Sequence, residues 1–239
     1  YVGHPMVETL GKVKVPTETA LQLALLPGSR KAELAHHWPL MLATYRRLKT
    51  LIPALTGLLA LPDDAAVQRC RMLADWANTE GLEVVVGEGR YAALAQCRAA
   101  LAKSGTNNLE LAFLNLPAVV CYRMHGLTYA LLRHLVKLPY ISLPNLLLNP
   151  PPPVGLNTRQ ASARRQGPVY PEFVQAAAKP ENLARALYPL LTQTKPIHAQ
   201  QQTLKTVRNL MHTPHPAATQ AAEIVATLLG LRTHPRHGV

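Results

Sequence analysis

Three short stretches combine residue types that hold phosphates with the spacing of a turn opening a helix. The first is Leu25-Leu26-Pro27-Gly28-Ser29-Arg30, followed by Glu33. Glycine lets backbone come close to a ligand, and the helix beyond it offers free N–H groups and a positive dipole end. Arg30 adds a planar fork of donors that grips a phosphate in two places. The same residues also make an ordinary turn capped by Ser29. The second stretch is Lys103-Ser104-Gly105-Thr106-Asn107-Asn108-Leu109-Glu110. Ser104 and Thr106 place hydroxyls at a helix start, where a diphosphate can be held without metal. Glu110 falls four residues past Thr106, on the same helix face one turn deeper, where a carboxylate accepts hydrogen bonds from ribose hydroxyls. A capping arrangement accounts for Ser104 and Thr106, but Glu110 sits too far along for it. The third stretch, Tyr140-Ile141-Ser142-Leu143-Pro144-Asn145, follows a strand ending at Arg123-Met124. Asn145 offers donor and acceptor to a base edge or sugar hydroxyl, and is equally at home in a plain turn.

These stretches need strands that hand over to helices, and the hydropathy pattern supplies them. Short apolar runs predict strands over 21–26, 57–61, 83–86, 99–102, 118–122 and 140–142. Helical spacing predicts helices over 31–49, 65–80, 91–96, 107–114 and 126–136, with Pro39 delaying or kinking the first. Such alternation implies an α/β fold, a Rossmann-like parallel sheet covered on both faces, over residues 17–148. Residues 1–16 read as an interdomain strand and linker: Tyr1-Val2-Gly3-His4-Pro5 looks like a strand entering a turn, as in a piece of a longer chain. Residues 149–168, rich in Pro and Arg, read as an inserted surface loop. Residues 169–239 read as helices completing the domain, over 172–178, 180–191, 199–211 and 217–229, before a frayed tail.

Composition narrows the chemistry. The formal charge is +12, and no acidic residue falls between Glu110 and Glu172, where Arg123, Arg133, Lys137, Arg159, Arg164 and Arg165 lie. Such a stretch suits substrate phosphates or an anionic membrane surface, or else is a solvated basic face. Nucleic acid is disfavoured, because aromatics are only 5% of the chain and no nucleic-acid motif is present. Cys70, Cys97 and Cys121 are too scattered for a zinc site or a disulfide framework, and the histidines lack metal-ligand company. Asp63-Asp64 reads as a helix N-cap pair and not as a metal-binding Asp-x-Asp. No apolar run reaches the roughly 18 residues that span a bilayer, so membrane association is expected to be peripheral.

Taken in order, Tyr1-Val2-Gly3-His4-Pro5, the Leu25–Arg30 string with Glu33, Ser104-Gly105-Thr106 with Leu109-Glu110, Pro117-Ala118-Val119-Val120 with Tyr122-Arg123-Met124, Leu135-Val136-Lys137 and Tyr140-Ile141-Ser142-Leu143-Pro144-Asn145 carry a resemblance. The chain resembles the C-terminal half of the lipid-A-disaccharide synthase family over nearly its whole length. Pro171-Glu172-Phe173-Val174-Gln175 is similar to the segment closing that family's site. The resemblance implies a GT-B glycosyltransferase that moves 2,3-diacylglucosamine from UDP to the 6-hydroxyl of 2,3-diacylglucosamine 1-phosphate, with inversion, release of UDP, and neither metal nor cofactor. It implies that Gly28, Ser29, Arg30, Ser104, Gly105 and Thr106 hold the diphosphate, with Arg30 stabilising the leaving group. Glu110 would take the ribose, and Tyr122, Arg123, Met124, Asn145 and Gln175 would line the donor pocket. The general base and acceptor site would belong to an N-terminal domain missing from this chain. The resemblance also implies a cytoplasmic protein peripheral to the inner membrane, and allows a homodimer. Asn107-Asn108 departs from the small or hydroxyl residues the family has there, and the 149–168 loop looks like an insertion. A UDP-sugar 2-epimerase-like enzyme and a non-catalytic remnant that binds a UDP-sugar or lipid phosphate are the alternatives.

Overall fold

The computed structural model describes residues 3–73, 81–126, 129, 139–150 and 167–229. At its centre is a six-stranded parallel sheet in the order β3-β2-β1-β4-β5-β6. The strands are β1 (Ala20–Leu26), β2 (Thr56–Leu61), β3 (Leu82–Val86), β4 (Cys97–Lys103), β5 (Ala118–Tyr122) and β6 (Glu172–Val174). The helices are α1 (Met6–Leu10), α2 (Lys31–Leu51), α3 (Asp64–Arg71), α4 (Arg90–Gln96), α5 (Asn107–Phe113), α6 (Leu143–Leu148), α7 (Pro180–Thr192), α8 (Thr194–Met211) and α9 (Ala217–Leu228). From β1 the chain builds outward through β2 and β3, then returns to the other side of β1 with β4. The strand order therefore reverses between β1 and β4, and the crevice beyond the carboxyl ends of these two strands is where such sheets bind ligands.

Period-two alternation divides the sheet between two cores. Leu23 and Leu25 of β1, Leu59 and Leu61 of β2, and Leu101 of β4 face one layer, packed against Leu34, Trp38, Met41, Tyr45 and Leu48 of α2 and Leu183, Leu187 and Leu191 of α7. Ala24 and Leu26, Leu58 and Ala60, and Ala100 and Ala102 face the other, packed against Leu94 of α4, Leu109 and Phe113 of α5, and Leu204, Val207 and Met211 of α8. The C-terminal helices thus cover both faces of the sheet. Asp63 caps α3, accepting from Ala66 N–H at 2.7 Å, as its sequence position predicts.

Four expectations are corrected. Pro39 does not delay α2, which begins at Lys31 and runs through it; buried Trp38, Leu40, Met41 and Leu42 hold the helix on either side of the missing N–H. The described part of the N-terminal segment is not a strand: Pro5 leads directly into α1, and His4 Nδ1 accepts from Met6 N–H at 3.2 Å. Residues 140–142 form no strand, because Ile141 N–H and Ser142 N–H are taken by the Glu172 carboxylate at 2.8 and 2.9 Å. Glu172-Phe173-Val174, expected to be helical, is the edge strand β6, since β5 supplies its backbone partners. The helix expected over 126–136 lies, apart from Gly126 and Tyr129, outside the described residues, as do 74–80 of the helix expected over 65–80 and 151–166 of the expected loop.

Leu25 is fully buried on the central strand. Leu25→Ala is expected to lower the unfolding free energy by about 3 kcal/mol, read as a lower urea midpoint at unchanged slope.

Candidate functional site

The turn after β1 and the turn after β4 face each other across the reversal point. Leu26, Gly28, Ser29, Glu33, Lys103, Gly105, Thr106, Asn107, Arg90 and Glu110 line one cleft there, with Ala60 and Pro62. Gly28 has φ +106°, and a Cβ on it would stand 2.5 Å from Glu33 Oε2, so both the backbone and the space require glycine. Arg69 Nη1 donates to Ser29 O at 3.0 Å and pins the turn from outside.

Glu33 sits one turn into α2 and gathers this side of the cleft. Its Oε2 accepts from Ser29 N–H at 3.2 Å and Arg30 N–H at 3.5 Å; its Oε1 accepts from Lys103 Nζ at 3.0 Å and Arg30 Nη1 at 3.4 Å. Burial opposes the charge on this carboxyl, yet the donors from Lys103 and Ser29 and the Lys103 charge outweigh it and hold its pKa below the ordinary value.

On the other side, Ser104 Oγ donates to Ile141 O at 2.8 Å, and Gly105 N–H donates to Asn108 Oδ1 at 3.0 Å. Asn108, fully buried, also donates to Lys103 O at 3.3 Å and so closes the turn from within. Glu110 is 8% exposed; its Oε1 accepts from Arg90 Nη2 at 2.9 Å and from Tyr91 O–H at 3.2 Å. Burial and the neighbouring Glu110 charge raise the Tyr91 pKa, which keeps that phenol a donor.

Of the residues expected at the site, Gly28, Ser29, Gly105, Thr106 and Glu110 line the cleft together. Arg30 does not: its side chain is 83% exposed and reaches back to Glu33. The Ser104 hydroxyl is spent on Ile141. Asn145 is a correction. It is fully buried, its Nδ2 donates to Tyr170 O at 2.8 Å and Glu172 Oε1 at 2.6 Å, and its Oδ1 accepts from Tyr170 N–H at 3.0 Å, so its amide joins two chain segments and reads no ligand. Tyr122, Arg123, Met124 and Gln175 form a second cluster at the same edge of the sheet, without lining the cleft. Met124 N–H donates to Gln175 Oε1 at 3.0 Å, Gln175 Nε2 returns to Met124 O at 3.1 Å, and the Arg123 guanidinium donates to Ala178 O.

The residues not foreseen are Arg90, Tyr91, Lys103 and His37. Arg90 follows a third strand-to-helix handover, Gly87-Glu88-Gly89, and Lys103 is the last residue of β4; both positions signalled a cleft-edge cation. His37 lies four residues past Glu33. Its Nδ1–H donates to Glu33 O at 2.7 Å, its Nε2 accepts from Arg123 N–H at 2.9 Å, and its ring lies 5.6 Å from that of Tyr122. Protonation at Nε2 would set two N–H groups against each other. Burial, with the Lys103 charge adding to it, lowers the His37 pKa to about 4.

Among the described residues no three His, Cys, Asp or Glu side chains stand together as a metal site requires, and no helix is long and apolar enough to cross a membrane.

The sheet and its cleft define a Rossmann-like α/β domain. Two solved structures share this architecture. One is the spinosyn rhamnosyltransferase SpnG, with TM-score 0.51 and 14% identity over 88% of this chain and 48% of that one. The other is the S. aureus MnaA–UDP co-structure, with TM-score 0.50 and 11% identity over 97% of this chain and 49% of that one. At these identities the likeness is one of fold. Residues 1–225 match the lipid-A-disaccharide synthetase family, and the chain belongs to that family. It is 34% identical over 241 residues to the lipid-A-disaccharide synthase of Pseudomonas syringae pv. tomato, covering 97% of this chain and 57% of that one. With the lipid-A-disaccharide synthase of Pseudomonas aeruginosa strain LESB58 it shares 35% identity over 243 residues, covering 97% and 58%. The chain thus spans less than three-fifths of the length of these relatives.

Two predictions follow from the buried polar groups. The unfolded His37 imidazole takes up a proton near pH 6.5 and the folded one only near 4, so in this window the unfolded state binds more protons and acid destabilises the fold. Denaturant unfolding is expected to show a loss of about 2 kcal/mol between pH 7 and pH 5, most of it absent in His37→Gln. Asn145→Leu, which strands the Tyr170 backbone groups and part of the Glu172 carboxylate, is expected to cost about 3 kcal/mol in the same assay.

Proposed function

We propose that the cleft binds a UDP-activated sugar, and that this chain is the donor-binding half of an inverting glycosyltransferase. Its reaction would pass 2,3-diacylglucosamine from UDP to 2,3-diacylglucosamine 1-phosphate in lipid A synthesis. The observation that carries this reading is the meeting of two glycine turns and the Glu110 carboxylate in one cleft at the strand-order reversal. Membership of the lipid-A-disaccharide synthetase family supports the same reading.

Arg90 and Tyr91 both hold Glu110 through Oε1, and among the described residues Oε2 has no hydrogen-bond partner, so it suits a ribose hydroxyl. The diphosphate then lies between the turns at Gly28-Ser29 and Gly105-Thr106. When the acceptor 6-hydroxyl attacks the anomeric carbon, the bond to the diphosphate oxygen breaks and its electron pair stays on UDP. Cations placed beforehand in the cleft wall, Lys103 and Arg90, stabilise that growing charge. Tyr122, Met124 and Gln175, farther along the same edge, are the candidate wall for the acylated sugar. The proton of the attacking hydroxyl goes to a base in the part of the relatives that this chain does not span, together with the acceptor site. Lipid substrates require the enzyme to work against a membrane surface, at the cytoplasmic face of the inner membrane, and the acid-free stretch from 111 to 171 suits anionic headgroups.

Titration with UDP is expected to raise the melting temperature of the chain in proportion to the logarithm of ligand concentration. Glu110→Gln keeps the acceptor for Arg90 but removes the charge. It is expected to weaken UDP and uridine about tenfold and to leave inorganic pyrophosphate unchanged. Equal uridine affinity in variant and parent would remove Glu110 from the ribose site.

A further inference from the structure

If the cleft takes a UDP-sugar, its donors must come from somewhere, and most of those foreseen are occupied. Ser29 N–H and Arg30 N–H both point to Glu33. Ser104 N–H donates to Cys121 O at 3.1 Å, its hydroxyl to Ile141 O, and Gly105 N–H to Asn108. Four backbone donors of the two turns are thus already committed within the protein.

One side chain passes between the two turns. A Cβ on Gly28 would lie 3.3 Å from Lys103 Cδ, and a Cβ on Gly105 would lie 3.2 Å from Lys103 Nζ. The Lys103 side chain is 14% exposed, and among the described residues its ammonium has one hydrogen-bond partner, Glu33, against three protons to give. Asn107 Oδ1 lies 3.5 Å from the same Gly105 Cβ point, buried and without a hydrogen-bond partner. An unpaired acceptor therefore lies beside the same turn that the ammonium approaches. Arg30 meanwhile bonds the same Glu33 oxygen as Lys103 does, so Glu33 keeps a cation when the lysine leaves.

We infer that Lys103 is the cation that contacts the diphosphate, exchanging Glu33 for phosphate oxygen and Asn107 Oδ1 when the nucleotide binds, while Arg30 stays on Glu33 as its counter-charge. This rests on the reading of the cleft as a UDP-sugar site. It makes Lys103 a binding residue and Arg30 a positioning residue, the reverse of what the sequence motif implies.

Calorimetric or NMR titration of the chain with UDP and with uridine separates the cases. Lys103→Met is expected to bind UDP at least about tenfold more weakly and uridine as the parent does; Lys103→Arg should recover most of the loss. Arg30→Met should weaken UDP by less than about threefold. Unchanged uridine binding shows that Lys103→Met is folded with its ribose site intact. Parental UDP affinity in Lys103→Met, an equal loss of uridine and UDP in it, or a loss in Arg30→Met as large as in Lys103→Met would each overturn the inference while leaving the UDP-sugar site standing. Failure of the parent chain to bind either ligand would overturn the site itself, and this inference with it.

Discussion

Glu33 stands where α2 leaves the sheet, and its carboxylate collects Ser29 N–H and Arg30 N–H from its own turn and the Lys103 ammonium from the neighbouring strand. Much of the local architecture follows from that one convergence. The turn after β1 can bend tightly enough only because Gly28 leaves room for the carboxylate. The strand-order reversal brings β4 alongside β1, and with it the lysine that completes the pair. A carboxylate one turn into a helix, holding the two N–H groups before it, does for this turn what a bound anion does elsewhere at a helix start.

Two partly buried ion pairs, Glu33–Lys103 and Glu110–Arg90, therefore stand in a single small cleft. Stability alone does not explain them, since desolvating paired charges commonly costs as much as their attraction returns, and apolar residues of like size would serve as well. Their value lies in preorganisation. Each cation is held desolvated at the cleft wall by a carboxylate that has further partners, so an incoming anion meets a fixed positive charge and little has to be ordered as it binds.

The sheet was legible because alternation is a local signal: β1, β2, β3 and β4 fall within two residues of their expected limits, and β5 coincides with its own. Elements whose identity depends on distant partners were not. Three residues, Glu172-Phe173-Val174, carry no period of their own and become a strand only because β5 leaves its edge open. The run at 140–142 has strand-forming residues, but its N–H groups meet a carboxylate some thirty positions away. The site divides the same way. Glycine turns and a carboxylate one turn into a helix have local signatures, and these placed Gly28, Gly105 and Glu110 in one cleft. Whether a polar side chain faces a ligand or its own protein has no local signature: Asn145 carries suitable chemistry and spends it on Tyr170 and Glu172. Lys103 opens the second stretch, yet nothing local marks its ammonium as reaching across to Glu33.

The pair Asn107-Asn108 shows how one local departure redistributes the work of a binding site. Two amides in the first turn of a helix can crowd a bound phosphate or face solvent. Asn108 does neither, turning inward to accept Gly105 N–H and donate to Lys103 O. That rigidifies the turn but removes from the cleft a backbone donor that a smaller residue would have left open. An anion seated here must then be neutralised by side-chain cations more than by peptide dipoles. Dipoles grip at short range, whereas full charges add a longer-ranged attraction that dissolved salt screens over about 10 Å at 0.1 M ionic strength. Affinity in this cleft should accordingly depend more steeply on salt than in a cradle built from free N–H groups, and the sensitivity originates in an asparagine that never touches the ligand.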